Sequence, residues 1–343
     1  MAAPLAEVTR GSLVESTHLG HVVVMASDGS GVAVSGDPDA RVYFRSSAKP
    51  FQAVPLLATG AAAAFGLTTE EIALSCASHN GTERHQTIVR SMLAKAGLVE
   101  SNLRCGISPP LDETEKARVT LGLVPESQVQ CECSGEHAGM LLACRHAGWS
   151  IDDYVRSDHP VQREIREIVA AGCGLPADAL DVATDGCSIP TFGAPVSAFA
   201  FAYAVLAYPE GARWDGASRW GDALLRVRDA MTRHPELVSG DGETDTTIME
   251  ETEGRVVAKL GAEGLLCLAI PEVRTGVAIS DTGGSPSGLG PAAVAVLREL
   301  QLEEPDTLQR LETKLCSPVQ SFKGEPVGEV RSALRLVEQE RGA

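Results

Sequence analysis

Ser46 and Lys49 stand three residues apart in the segment Arg45-Ser-Ser-Ala-Lys-Pro50. Three residues is nearly one helical turn, so a helix beginning near Ser46 puts both side chains on one face. A crowded lysine amine can lose its proton and then take one from a serine hydroxyl. Backbone N–H groups at a helix start favour the oxyanion that forms next. Pro50 suits a first-turn position, where its missing N–H costs little. The same spacing also suits a capping serine and a solvated lysine, so it does not decide the matter alone.

Three further constellations carry reactive side chains. In Cys76-Ala-Ser-His-Asn-Gly-Thr-Glu83 an apolar run ends abruptly in small polar residues, where a scaffold commonly exposes a reactive group or caps the next helix. Cys133-Ser-Gly-Glu-His-Ala-Gly-Met140 and Asp185-Gly-Cys187 supply two cysteines with a carboxylate and a histidine nearby. Such a set could hold zinc, and cysteines equally serve as small buried hydrophobes.

These residues need elements to position them. Residues 21–25 and 32–34 read as a hairpin around Asp28-Gly-Ser-Gly31, and 42–44 as a short strand after the turn Gly36-Asp-Pro-Asp39. Helical spacing predicts helices over 50–64, 82–96, 137–147, 160–171, 195–206 and 220–233, with Thr68-Thr-Glu-Glu71 capping another. Residues 255–258, 265–270 and 276–279 are β-rich and read as successive antiparallel strands. Helices follow at 292–300 and at 334–340. Strands at both ends with helices between them predict an α+β layer architecture.

The bulk numbers bound the function. With 343 residues, 44% hydrophobic and 22% charged, the chain can bury a substantial core, in one large domain or two closely joined ones. Forty-six acidic against 29 basic residues leave a net charge of −17, which repels phosphate backbones and anionic lipids, so no nucleic-acid or membrane partner is expected. The first ten residues lack a basic and an apolar signal region, and no apolar run is long enough to span a bilayer. Nine cysteines without export signals read as free thiols or metal ligands. A cytoplasmic location is the expectation.

The motifs taken in order resemble the L-asparaginase II family, the rhizobial inducible type. Those carrying the resemblance are Arg45-Ser-Ser-Ala-Lys-Pro50, Cys76-Ala-Ser-His-Asn-Gly81, Cys133-Ser-Gly-x-His-Ala-Gly-Met140, Asp185-Gly-Cys187 and Val257-Ala-Lys-x-Gly-Ala-Glu-Gly264. Gly36-Asp-Pro-Asp39, His159-Pro-Val-Gln162, His234-Pro-Glu-Leu237, Lys323-Gly-Glu325 and Val327-Gly-Glu329 extend it over nearly the whole chain. The resemblance implies a fold like serine β-lactamases and glutaminases, an antiparallel sheet with surrounding helices, and a homodimer. It implies two Ser–Lys pairs, Ser46 with Lys49 and Ser78 with Lys259, as the catalytic groups. Cys133 and Cys187 match metal-binding cysteines of a zinc site; no organic cofactor is implied. Arg45, His79, Asn80, Glu136, His137 and Asp185 fall at or beside the substrate.

One departure matters. The family motif reads Cys-Ser-Gly-Lys-His, whereas Glu136 stands at the lysine position here. A carboxylate is a natural zinc ligand, so Cys133, Cys187 and Glu136 could still hold a metal. The exchange replaces a cation by an anion beside the substrate and would repel an α-carboxylate. Nearby, Ser280-Asp-Thr-Gly-Gly-Ser285 carries one acidic residue where the resemblance implies a pair. Gly242-Glu-Thr-Asp-Thr246 lacks the basic–aromatic pair expected before its aspartate. Three readings stay open. The first is hydrolysis of L-asparagine to L-aspartate and ammonia through an acyl-serine. The second is an amidase or acyl transferase acting on a different, neutral or cationic carboxamide in specialised metabolism. The third is a catalytically inactive homologue that binds an amino acid or metal.

Overall fold

The computed structural model describes residues 1–316 and 318–339. Its strands in chain order are β1 (Ala3–Arg10), β2 (Leu13–Ala26), β3 (Gly31–Ser35), β4 (Arg41–Tyr43), β5 (Asp181–Thr184) and β6 (Pro190–Pro195). They continue with β7 (Val257–Gly261), β8 (Leu265–Ile270), β9 (Thr275–Asp281), β10 (Pro318–Gln320), β11 (Pro326–Ser332) and β12 (Val337–Glu338). The chain divides into two compact units built from separated segments. The first comprises Met1–Ser47, Ala194–Arg213 and the chain from Gly242 on; the second comprises Ala48–Gly193 and Trp214–Asp241.

In the first unit the strands form one antiparallel sheet in the order β10-β11-β1-β2-β9-β8-β7, with β3 joining β2 to β12. The long β2 serves two partners on one edge. Its first part pairs with β1 as far as Gly20, and Val22–Met25 pair with β3. Its other edge pairs with β9 from Gly20 to Ala26. Across the sheet His21 faces Ser280, and Ser280 faces Leu265, so these three side chains lie in one row.

The helix Val196–Ala207 packs on this sheet. Its sequence is apolar on every side, and all of its residues but Ser197 are buried, as expected of a core helix. Gly276 permits the close approach: a Cβ there would lie 2.1 Å from the Ala200 carbonyl oxygen and the Ala204 nitrogen. The helices Thr244–Glu251 and Leu289–Glu299 also pack on strands of this sheet.

The second unit is mainly helical. Its centre is the helix Ser134–Ala147, whose first eleven residues are buried and which ends at Gly148 in the left-handed region. Gly135 lies against the Leu74 backbone; a Cβ there would stand 2.3 Å from the Leu74 carbonyl oxygen. The helix Thr69–Leu74 opens on a capping box between Thr68 and Glu71, as its sequence predicts. Strands β5 and β6 form an antiparallel hairpin whose tip carries Asp185 to Ser188.

The expected α+β class and antiparallel sheet are present. Several elements differ in extent. The helix expected over 50–64 is three short pieces, Lys49–Gln52, Val54–Ala58 and Ala61–Ala64. Pro55 has no N–H to continue the ladder, and Gly60 turns left-handed at φ 86°. The helix expected over 334–340 is absent among the described residues: 333–336 are irregular and β12 pairs with β3. Glu340 lies outside the described residues. No described helix is long and apolar enough to cross a membrane.

Candidate active site

In the second unit, Lys49 opens the short helix that continues the 3-10 turn Arg45–Ala48. Only 2% of the residue is exposed. Its ammonium lies 2.7 Å from the Ala77 carbonyl oxygen, 3.0 Å from Ser78 Oγ and 3.2 Å from Cys133 Sγ, which together match the three donors of Nζ. Glu136 Oε2 stands 3.3 Å away. Burial pulls the Lys49 pKa down, and Cys133, Glu136, Cys187 and Glu132 more than offset it, holding the amine well above its ordinary value.

Ser78 is placed by its backbone. After the helix Thr69–Leu74 ends, Ser78 N–H donates to the Val238 carbonyl, His79 N–H to Glu132 and Asn80 N–H to Ser239. The segment is thus held between two neighbouring stretches, with Ser78 and Asn80 half-buried. His79 is fully buried and occupied: Nδ1 accepts from Gly81 N–H, so Nε2 carries the proton and donates to Ser134 Oγ. Burial keeps it neutral, its pKa well below the usual imidazole value. Its bonds hold the turn: both ring nitrogens are engaged by the protein, whereas the motif resemblance implies a substrate contact for His79.

Cys133 caps the helix Ser134–Ala147, and Glu136 sits in its first turn, where an anion suits the helix dipole. Cys187 comes from the hairpin tip, where the Asp185 and Ser188 backbone bonds close the turn and Ser188 takes φ 79°. Burial and mutual hydrogen bonding raise both thiols: Cys131 pushes Cys133 up to about 12, and Cys133 pushes Cys187 further. His137 is fully buried. Arg104 N–H donates to the Tyr154 hydroxyl, which donates on to His137 Nδ1 at 2.7 Å. His137 also interacts with the Cys187 backbone. Burial lowers its pKa to about 3.

In the first unit, Ser46 is half-buried and Ser47 buried. Ser47 Oγ donates to the Lys259 carbonyl at 3.0 Å, and the Tyr203 hydroxyl donates to the Ser47 carbonyl at 2.9 Å. Lys259, fully buried on β7, has its amine 3.3 Å from Asp245 Oδ2. Asp245 was not assigned a role from sequence, because the contact joins a helix to a strand fourteen residues away. Its trace in the sequence is the aspartate of the segment Gly242-Glu-Thr-Asp-Thr246. Arg45, at φ 47°, lines a cavity with His21, Tyr43, Glu263, Ser280 and Asp281.

The expected pairs Ser46–Lys49 and Ser78–Lys259 each take one member from each unit. The hydroxyl that Lys49 meets within its own unit is that of Ser78; the carboxylate that Lys259 meets within its own is that of Asp245.

A model of the L-asparaginase II family matches residues 6–332. The chain belongs to that family. No curated protein matches the chain. Among solved structures, Mglu in its native form is similar at 14% identity and a TM-score of 0.40, covering 84% of this chain and 66% of that one. Mglu in its glutamate form is 16% identical at a TM-score of 0.38, with 83% and 61% covered. A β-lactamase from Mycobacterium bovis is 14% identical at 0.35, with 82% and 94% covered. This chain thus spans less than two thirds of the length of the Mglu chains it matches.

Cys133, Glu136 and Cys187 form a set that could hold a metal ion. One donor atom from each lies within 4.8 Å of the others, and all three residues are buried. Zinc–sulfur bonds of about 2.3 Å in a tetrahedral site place two sulfurs roughly 3.8 Å apart, which this spacing accommodates. Two thiols and a carboxylate are suitable zinc donors, so the residues fit the ion.

Proposed function

We propose that the protein hydrolyses L-asparagine to L-aspartate and ammonia through an acyl-serine intermediate, with the two Ser–Lys pairs as its machinery. The observation that carries the reading is the Lys49 amine 3.0 Å from Ser78 Oγ, inside a buried polar cluster. The serine oxygen bonds to the carboxamide carbon as its proton passes to the lysine amine of the pair in its neutral form, a minor form for Lys49 because its anionic neighbours hold it charged, so the step speeds up as pH rises. The same amine then gives that proton to the departing nitrogen, and the C–N bond breaks to release ammonia. Water attacks the resulting ester, restoring the hydroxyl and freeing the acid. The assignment is to the pairs rather than to one nucleophile. The contact favours Ser78 as the hydroxyl served by Lys49.

Cys133, Cys187 and Glu136 would hold zinc, which when bound supplies Lewis-acid charge to the site. Metal analysis of protein purified without added zinc is expected to find about one equivalent, lost in Cys187→Ser. Absence of bound zinc in the unmodified protein counts against this part.

The mechanism predicts that Ser46→Ala or Ser78→Ala lowers ammonia release from asparagine by about a thousandfold or more. Intact activity in both variants would show it to be wrong.

Glu136 favours a second reading, a carboxamide with a neutral or cationic group where asparagine carries its α-carboxylate. Its buried carboxylate lies within the same cluster, where the family motif has a lysine. Glu136→Lys is expected to raise asparagine turnover if specificity has shifted. Unchanged turnover speaks for asparagine itself.

A further inference from the structure

The first unit contains a second cavity of about 530 Å3, lined by none of the residues assigned above. Its walls come from the end of β2, the turn before β9, the segment after the helix Val196–Ala207 and the chain beyond Leu289–Glu299. Arg213 and Arg274 both line it. In a chain this acidic, arginines of the same unit such as Arg255, Arg310 and Arg331 are ion-paired. Arg213 and Arg274 have no carboxylate partner among the described residues.

Both arginines are positioned by one residue. Ser27 N–H donates to the Arg274 carbonyl at 2.9 Å, and Arg213 N–H donates to the Ser27 carbonyl at 2.8 Å. Arg274 sits at φ 53° and ψ 45°, a left-handed conformation unusual for a side chain of this size. That turn lays its guanidinium over the Tyr208 ring, 4.3 Å from the centroid. Gly211 leaves room for the ring: a Cβ there would stand 2.2–2.4 Å from its Cε1, Cζ and Oη. Val32, Val273, Leu300 and Leu302 supply apolar lining. The one acidic lining residue, Asp28, turns Oδ1 to the Ser30 N–H and hydroxyl.

We infer that this cavity binds a small organic carboxylate with an apolar or aromatic tail. The carboxylate would bridge the Arg213 and Arg274 guanidinium groups, in the forked geometry that guanidinium offers carboxylates. The tail would lie along the aliphatic wall and the Tyr208–Arg274 stack. An unpaired guanidinium on a fixed aromatic platform is a recognition element; an arginine needed only for solubility has no use for a strained backbone and a cleared ring.

Calorimetric titration of the full chain with 3-phenylpropionate tests it, with 3-phenylpropanol as the uncharged control. The acid is expected to bind saturably and the alcohol not. Arg213→Gln and Arg274→Asn are each expected to weaken binding at least tenfold. Asparagine tolerates the left-handed backbone at 274, so that variant keeps the turn while removing the guanidinium. Circular dichroism and melting confirm that both variants fold. Absence of binding to the unmodified protein, equal binding of the alcohol, or wild-type affinity in either folded variant would overturn the proposal.

Discussion

Replacing Asp245 by asparagine removes the carboxylate beside the fully buried Lys259 amine. The change is nearly isosteric, so its effect is electrostatic rather than steric. Asp245 accepts from Lys259 Nζ at 3.3 Å and from Leu260 N–H at 3.0 Å on Oδ2, and from Thr246 N–H at 3.1 Å on Oδ1. At an effective dielectric of about 20, opposite charges 3.3 Å apart attract by roughly 5 kcal/mol. Breaking a buried pair by removing one partner typically costs about 3–5 kcal/mol, because the remaining charge stays desolvated. An asparagine amide also turns an N–H2 towards donors that Asp245 now accepts. Urea denaturation should therefore show Asp245→Asn destabilised by about 3–5 kcal/mol. The double variant Asp245→Asn with Lys259→Met should recover at least half of that, since it removes the orphaned charge. A single variant within about 0.5 kcal/mol of the parent would refute the reasoning.

Two further predictions concern the packing around the site. His79 and His85 stack with ring centroids 4.9 Å apart, and burial lowers both imidazoles. The unfolded chain takes up protons below about pH 6.5 that the native rings refuse, so stability should fall as pH drops through that value. Melting temperatures of His85→Phe between pH 7 and 5 should show a shallower fall than the parent; an identical slope would contradict this. Gly276→Ala should destabilise by about 3 kcal/mol or more, because its Cβ would meet helix backbone at 2.1 Å. A melting temperature unchanged by that substitution would mean the helix and strand are not in such close contact.

Much of the architecture is legible where local signals are strong. The Thr68 capping box, the helix Glu83–Lys95 ending at Gly97 and the run Leu265–Ile270 all follow from caps, left-handed glycines and β-branched or apolar runs. Three strands at one end of the sheet were less legible: β1, β10 and β11 lack a clean apolar alternation, and pairing rather than composition makes them strands. The break within 50–64 followed Pro55 and Gly60, both visible but outweighed by the apolar spacing around them. At the site, the motifs group Cys133, Glu136 and Cys187, and the fold brings one donor atom from each within 4.8 Å of the others. The contacts of Lys49 with Ser78 and of Lys259 with Asp245 were not, since each joins elements that only the folded chain brings together. His79 and His137 show the same limit: a sequence displays an imidazole but not which of its nitrogens is already committed.

The central claim is that a serine of the Ser–Lys pairs becomes acylated. Intact-protein mass spectrometry after rapid acid quench of the enzyme with L-asparagine, or with a β-ester of L-aspartate, tests this directly. The account predicts a mass increase equal to one β-aspartyl group, mapped by peptide digestion to Ser78 or Ser46, and missing in the corresponding alanine variant. Ammonia release at full rate with no adduct on either serine, and undiminished in both alanine variants, would contradict it.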